Sequence, residues 1–150
     1  MIKKRYYVMS LLLGASAYAM SQTVPSMQAF NDGIHHWNLE HKDRNYKRYS
    51  ADQYVKIADN FVAYQNKDGG WPKNIDWMAE LPVDSVLNTL SDNHRRSTLD
   101  NRNTYSQINY LAQVYTLTKK AVYKEAVLDG LEYLLKTQKK NGGWRGWDVE

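Results

Sequence analysis

Apolar residues recur at helical spacing in three stretches of the chain. The first follows Ser50-Ala51-Asp52-Gln53, which matches a capping box, and continues to Gln65. The second spans about residues 103–118, and the third spans about residues 121–138. Because apolar side chains three or four residues apart share one helix face, the pattern predicts three helices. No stretch alternates convincingly with a period of two, so the predicted fold class is all-α.

The same apolar residues predict which face of each helix is buried. The predicted stripe of the second helix consists of Ile108, Leu111, Ala112 and Tyr115. The predicted stripe of the third helix consists of Val127, Leu131, Leu134, Leu135 and Gln138. Gly-Gly pairs follow the first and third helices and predict their ends, because glycine readily adopts the left-handed conformation that closes a helix.

The remaining stretches have weak periodicity. Residues 20–49 are irregular and polar, which predicts a lead-in segment or linker before a domain at residues 50–150. His35 and His36 in this segment lack the spacing of metal ligands, so we predict that they are surface residues. Residues 75–97 contain Pro82 and several Asp, Ser and Asn residues, which predict a long surface connection with at most one helical turn.

Residues 1–19 have the layout of a secretory signal peptide. Lys3, Lys4 and Arg5 precede an apolar run at residues 8–17, and Ala17-Tyr18-Ala19 supplies small residues for cleavage. The run is too short to span a bilayer, and the competing interpretation is a buried N-terminal helix. We predict cleavage after Ala19, with a second window up to about residue 22. The protein is then secreted or periplasmic.

The predicted leader changes the interpretation of the charge. The chain has 20 basic and 16 acidic residues, and three of the basic ones lie in the leader, which leaves 17 against 16. This nearly neutral balance does not indicate a nucleic-acid partner. The sequence has no cysteine, so an exported form depends on a packed core or a bound ion. Its 12 Tyr and 5 Trp suit either a core or contact with sugar rings.

A seven-residue pattern, Gln-x-x-x-Gly-Gly-Trp, occurs twice, at residues 65–71 and 138–144. The glycines end a helix, the Trp can fold back onto the helix end, and the Gln amide can bond the freed carbonyls. The interpretation from the residues alone is that these ends join helices in a barrel of helical hairpins. Sugar contact by the Trp is an additional interpretation.

Further motifs indicate which family of helical-hairpin proteins the sequence resembles. In order along the chain they are Gly69-Gly70-Trp71-Pro72-Lys73-Asn74, Ser97-Thr98-Leu99-Asp100-Asn101, Gln107-Ile108, Gly130-Leu131-Glu132-Tyr133-Leu134-Leu135 and Asn141-Gly142-Gly143-Trp144-Arg145-Gly146-Trp147-Asp148. This set resembles the N-terminal half of family 10 pectate lyases over roughly residues 50–150. The resemblance implies an incomplete α/α toroid, in which helical hairpins are joined by long loops.

The resemblance also implies an activity. Family 10 pectate lyases cleave polygalacturonate, or pectate, by calcium-assisted β-elimination, and calcium bound at the uronate carboxylate offsets the charge that develops when the C5 proton leaves. The family's base is thought to be an arginine, which we expect beyond residue 150. We therefore expect no catalytic residue within this chain, and we interpret it as an inactive, monomeric N-terminal fragment of a secreted lyase.

Carried onto this sequence, the family motifs imply the site residues. Asp100 is the implied metal ligand, for Ca²⁺, or a substrate ligand. Its alternative role is the N-cap of the second helix, unless Asn103 or Thr104 takes that position. The implied substrate-binding residues are Trp71, Lys73, Asn74 and Asn101. Arg95, Arg96 and Arg102 are further candidates for the anionic chain, and the sequence does not separate them.

Two alternative functions remain open from the sequence. A non-catalytic glycan-binding module would retain pectate without releasing product. A terpene-cyclase-like toroid would need an Asp-rich motif and an apolar pocket, which the leader and Lys73-Asn74 argue against.

Overall fold

A computed structural model describes residues 23–41 and 45–144. The predicted signal peptide, the alternative cleavage window and the terminal Arg145-Gly146-Trp147-Asp148 segment lie outside these residues. The described helices, in chain order, are α1 (Asn31–Glu40), α2 (Tyr54–Tyr64), α3 (Val83–Thr89), α4 (Asp92–Arg95), α5 (Tyr105–Thr118) and α6 (Ala121–Thr137). Short 3-10 turns lie at Gln28–Phe30 and Asp100–Arg102. The predicted all-α class is confirmed, whereas closure into a toroid stays a prediction.

Helices α2, α5 and α6 pack against one another and form the centre of the domain. α5 and α6 are joined by two residues, Lys119 and Lys120, and make the most extensive contact between helices. Lys119 adopts a left-handed conformation with φ of 57°, which ends α5 and reverses the chain. None of the helices in residues 23–41 and 45–144 is long and apolar enough to cross a membrane.

The three predicted helices are present, with later starts for two of them. Ser50 donates its backbone N–H to Gln53 Oε1 at 2.9 Å, as a capping box requires. The backbone N–H of Gln53 bonds Ser50 O, so residues 50–53 form a turn and α2 begins at Tyr54. α5 begins at Tyr105 rather than near residue 103, because the side chains of Asn103 and Thr104 donate to Trp71 O and Thr98 O instead of capping the helix.

The predicted buried face of α6 is wrong in part, since Val127 and Leu134 pack against the core but the predicted Leu131, Leu135 and Gln138 are exposed. The buried residues are Tyr123, Ala126, Gly130 and Tyr133, whereas Leu131 and Leu135 are exposed. Gly130 faces the core, where a Cβ would lie 2.7 Å from Cγ1 of Ile108 and 2.9 Å from Cζ3 of Trp71. The helix therefore turns its small and aromatic residues inward, and Gly130 leaves space for Ile108 of α5 and for the ring of Trp71.

The predicted surface connection at residues 75–97 is also wrong in part. It contains α3, α4 and five apolar side chains at most 5% exposed: Ile75, Trp77, Ala79, Val86 and Leu90. The stretch lacks clear periodicity because several of its buried residues lie in loops, where the spacing of contacts is set by neighbouring elements rather than by a helix.

The lead-in segment packs onto the domain. Phe30 and Trp37 are 5% and 2% exposed and belong to the same core as α2. The ring of Phe30 lies 4.9 Å from that of Phe61. Residues 23–41 are therefore part of the packed unit, and a boundary at residue 50 does not separate two cores.

The repeated pattern forms the same helix end twice. Gln65 Nε2 donates to the carbonyl of Gly69 at 2.8 Å, and Gln138 Nε2 donates to the carbonyl of Gly142 at the same distance. The indole N–H groups of the two Trp residues both donate, at 2.7 Å, to the carbonyl ten residues earlier. The predicted role of this pattern in ending a helix is confirmed, whereas its role in joining helices in a barrel of helical hairpins stays a prediction.

The first glycine of each copy provides a matched test of these helix ends. Gly69 and Gly142 have φ values of +93° and +82°, so alanine is strained at both. A Cβ at Gly69 would also overlap the backbone carbonyl of Asp129, whereas nothing lies within 4 Å of one at Gly142. We expect Gly142→Ala to lower the free energy of unfolding by about 1 kcal/mol. Gly69→Ala should lower it by at least about 3 kcal/mol.

Urea unfolding followed by circular dichroism measures both values. Equal losses for the two variants would contradict the close packing of Gly69 against α6.

Candidate functional site

The loop that follows α2 is irregular yet buried throughout residues 69–77. Trp71 anchors it, since its ring is fully buried and its indole N–H donates to Phe61 O at 2.7 Å. Gly130 admits the ring on one side, as described above. The position of the main chain after Trp71 is therefore fixed relative to the core.

A second loop, residues 97–104, is bonded directly to the first. The backbone N–H of Thr98 donates to Trp71 O at 3.2 Å, and Asn103 Nδ2 donates to the same oxygen at 2.6 Å. The backbone N–H of Trp71 in turn donates to Thr104 Oγ1 at 3.2 Å. Both backbone polar groups of the buried residue Trp71 are thus satisfied by the neighbouring loop, which fixes the two loops against each other.

This arrangement brings Lys73 and Asp100 together. Lys73 Nζ lies 2.8 Å from Asp100 Oδ2, and the two side chains are 9% and 30% exposed. Two residues 27 positions apart in the sequence therefore share one ion pair at the surface of the domain. Asp100 begins a 3-10 turn and does not cap α5, so its alternative predicted role as an N-cap is not observed.

Asn74 lies beside this pair and is 6% exposed. Its Nδ2 donates to Glu40 Oε1 at 3.3 Å, and its Oδ1 is buried without a hydrogen-bond partner. Glu40 also lies 3.6 Å from His94 Nδ1. An unpaired buried acceptor is costly, and in a native protein such an atom calls for an explanation such as a water or a ligand.

A shallow groove joins these residues to the start of α1. One part of it, a cleft with room for about one water molecule, is lined by Phe30, Gly33, Lys73, Asn74, Asn101 and Arg102. A neighbouring part is lined by Gln28, Asn31, Asp32 and the same Asn101 and Arg102. The lead-in segment therefore forms one wall of the groove, which the sequence analysis did not predict. The sequence feature that could have predicted this wall is the spacing of the apolar residues Phe30 and Trp37 within an otherwise polar stretch.

Four non-glycine residues in these loops have positive φ angles. They are Asn74 at 58°, Asn101 at 51°, Arg102 at 64° and Thr104 at 62°. A β-branched residue such as Thr104 is particularly disfavoured there, and its two hydrogen bonds to the loops hold it in place. Strained backbone of this kind clusters at active and ligand-binding sites, so it marks these loops as the candidate site.

The first loop also contains a buried carboxylate that bonds two side chains. Asp76, with its side chain 1% exposed, accepts from Tyr46 OH at 3.0 Å and lies 2.6 Å from Arg48 Nε. Burial and the adjacent Asp76 charge raise the pKa of Tyr46 above its usual value. Burial, followed by the charge of Asp76, also raises the pKa of Tyr64. The sequence does not reveal this cluster, because Asp76 lies 30 and 28 residues from Tyr46 and Arg48 and the three residues match no motif.

The substrate-binding residues predicted from the resemblance have different environments. Lys73, Asn74 and Asn101 lie together at the groove. Trp71 is fully buried and its N–H is bonded to the backbone, so the prediction that its ring contacts sugar is wrong for this structure. Arg102 lines the groove, whereas Arg95 and Arg96 line a separate depression with Lys67.

The described residues do not by themselves fit a calcium site. Calcium takes six to eight oxygen ligands, and one oxygen of Asp100 is already paired with the ammonium of Lys73. In residues 23–41 and 45–144, no three His, Cys, Asp or Glu side chains are grouped so that they could hold a metal ion. The role of Asp100 as a metal ligand therefore stays a prediction of the resemblance.

The two bonded loops lie within the part of the chain that a known family profile matches. A family profile described as pectic acid lyase matches residues 65–147, more than half of the chain. The chain belongs to the pectic acid lyase family. This membership excludes the terpene-cyclase-like alternative. A comparison with curated protein sequences finds no match.

Two solved structures of a family 10 polysaccharide lyase from Cellvibrio cellulosa are similar to the chain. One has a TM-score of 0.50 and 22% identity, and the match covers 85% of this chain and 35% of that one. The other is an aspartate-to-alanine mutant in complex with trigalacturonic acid, with a TM-score of 0.48 and 23% identity. That match covers 67% of this chain and 32% of the other. The first likeness shows the fold alone. The chain spans about a third of the length of these structures.

The ion pair between Lys73 and Asp100 predicts a measurable coupling. Removing either partner weakens the electrostatic stabilisation of a partly buried charge, so the pair should contribute about 1–3 kcal/mol in a double-mutant cycle with Lys73→Met and Asp100→Asn. Lys136 and Glu132 form a control pair of similar length, 2.7 Å, but with side chains 68% and 60% exposed. Their coupling should be below about 0.5 kcal/mol.

Both cycles are measured by urea unfolding. A coupling for Lys73 and Asp100 no larger than the control would show that the groove does not shield this pair from water.

Proposed function

We propose that this chain is the N-terminal part, residues 50–150 with the packed lead-in segment, of a secreted polysaccharide lyase that acts on pectate. The observation that carries the proposal is the groove, where the two family loops place Lys73 beside Asn74 and Asn101. A cation and amide groups at one surface can bind the carboxylate and hydroxyl groups of a uronic acid polymer. Family membership supports the substrate class.

Lys73 is the residue to which we assign recognition of the substrate carboxylate. Asp100 holds its ammonium at the groove and limits its free positive charge, so Asp100 acts here as a positioning residue. Asn74 and Asn101 supply amide groups for sugar hydroxyls. Arg102 adds a second cation at the groove.

The charges near the groove support a requirement for added cations when the protein binds pectate. Lys73 and Arg102 are positive there, whereas Asp32, Glu40 and Asp100 are negative. A polyanion approaches such a surface more easily when additional cations balance it. Calcium-assisted β-elimination, with removal of the C5 proton and departure of the C4 oxygen, remains our proposal for the whole protein. We assign the calcium ligands and the base to no described residue.

Pectate binding by the 150-residue chain tests the groove. We expect Lys73→Met to raise the Kd for polygalacturonate at least about fivefold, because a charge-assisted contact is lost. Lys136→Met removes the same charge from an exposed helix position and should leave the Kd unchanged. Affinity electrophoresis in pectate gels measures both, with Tm values showing that each variant is folded.

Unchanged binding by Lys73→Met would show that Lys73 is not part of the binding site. A chain that binds neutral polysaccharides as well as pectate would contradict recognition of the uronate carboxylate.

Ultraviolet absorbance of the unsaturated product tests the lyase assignment in the longer protein. Product formation should require calcium and stop on chelation, since calcium offsets the charge that develops on proton removal. Retention of pectate without unsaturated product would favour the glycan-binding alternative instead.

A further inference from the structure

The side-chain amide of Asn74 has one bonded end and one unbonded end. Its Nδ2 donates to Glu40 Oε1 at 3.3 Å, whereas its Oδ1 is buried and accepts no hydrogen bond from the residues that the structure describes. A buried acceptor is costly unless a water or a ligand supplies the missing donor. The backbone of Asn74 is also strained, with a φ of 58°, so two unfavourable features coincide at one residue of the groove.

Glu40, the last residue of α1, determines which end of this amide is free. A carboxylate only accepts hydrogen bonds, so the atom of Asn74 that faces Glu40 must be the donor Nδ2. The second carboxylate oxygen of Glu40 lies 3.6 Å from His94 Nδ1, so each of its oxygens has a separate partner. With Nδ2 held in this way, Oδ1 lies on the opposite side of the amide, where it can bind a donor and nothing else.

The cleft that Asn74 lines limits what this donor can be. Its space of about 10 Å³ holds about one water molecule. Lys73 and Arg102 line the same cleft, and their positive charges disfavour a cation there, since like charges repel. A hydroxyl group meets both conditions, because it is neutral, donates a hydrogen bond and occupies the space of a water. An O-acetyl group meets neither, since an ester is larger and has no O–H.

We propose that Glu40 is a positioning residue that makes the groove selective for a free sugar hydroxyl, because it holds the Asn74 amide with Oδ1 towards the cleft. The inference rests on the proposed function, in which Lys73 binds the uronate carboxylate. It adds that the polymer is not O-acetylated at the hydroxyl that Asn74 binds. A site built to bond a hydroxyl discriminates against a substrate without one, because the buried acceptor is then left unpaired.

Binding of two polymers tests this selectivity. Polygalacturonate is compared with the same polymer after chemical O-acetylation, which blocks hydroxyls and leaves the carboxylates free. For the unchanged 150-residue chain we expect acetylation to raise the Kd at least about fivefold, the effect of one unpaired buried acceptor. Glu40→Gln lets the Asn74 amide turn, since a glutamine amide both donates and accepts, and should lower this ratio to below about twofold.

The ratio of the two Kd values separates positioning from charge. Loss of the Glu40 charge by itself would strengthen binding of both polyanions alike and leave the ratio unchanged. Asn74→Gly removes the amide at a position where glycine tolerates the positive φ, and it should give the same low ratio. Adding Glu40→Gln to Asn74→Gly should then change the ratio no further, because Glu40 acts through Asn74.

A matched control is available on α6. Glu132→Gln is the same substitution at a side chain that is 60% exposed and pairs with Lys136, and it should keep the ratio of the unchanged chain. The Tm of each variant shows that it is folded.

NMR of the side-chain amides gives a measurement that needs no polymer. We expect Glu40→Gln to move the amide nitrogen and proton signals of Asn74 Nδ2, because the acceptor of its hydrogen bond changes. The side-chain amide signals of Asn101, which lines the same cleft, should stay in place.

Different results would contradict different parts of the assignment. An acetylation ratio that Glu40→Gln leaves unchanged, or Asn74 signals that do not respond to it, would overturn the role of Glu40 alone. A shift of the Asn74 signals on addition of calcium without polymer would assign Oδ1 to a cation in place of a hydroxyl. Failure of the unchanged chain to bind polygalacturonate would contradict the proposed function, and with it the sugar hydroxyl as the donor.

Discussion

The burial of Trp71 is the constraint on which the domain depends. Its indole N–H closes the end of α2, and its main-chain groups bond the loop that leads into α5. Its ring requires a glycine on α6. A single residue therefore links the three central helices and fixes the two loops of the groove. The family motifs Gly-Gly-Trp-Pro-Lys-Asn and Ser-Thr-Leu-Asp-Asn follow from this, since each supplies one half of the loop contact.

The groove follows from the same contact. Once Trp71 and Thr98 are bonded, the chain direction on either side brings Lys73 to Asp100, and the lead-in segment closes one wall through Phe30. The positive φ angles of Asn74 and Asn101 are locally strained, and the packing of Trp71 stabilises this strained backbone. Stability at Trp71 and chemistry at the groove are therefore coupled, although Trp71 itself does not reach the surface.

Local signals in the sequence predicted much of this structure. The helix ends at Gly69 and Gly142 were predictable because a left-handed residue after a helix requires glycine or a close substitute. The grouping of Lys73, Asn74 and Asn101 came from the family resemblance, and its partner contact with Asp100 needed the structure. The Asp76 cluster could not be predicted, because Tyr46, Arg48 and Asp76 interact over long sequence separations without a periodic pattern.

The sequence by itself determined the helix count among the long periodic stretches, the two Gln-x-x-x-Gly-Gly-Trp ends and the family, because these depend on residues close together or on a fixed motif order. Only the tertiary structure decided which face of α6 is buried. Leucine spacing indicated one face, but Trp71 and Ile108 need the space that Gly130 leaves, so the helix buries its small and aromatic side and exposes Leu131 and Leu135. That choice depends on residues 59 and 22 positions away from Gly130, which no local pattern encodes.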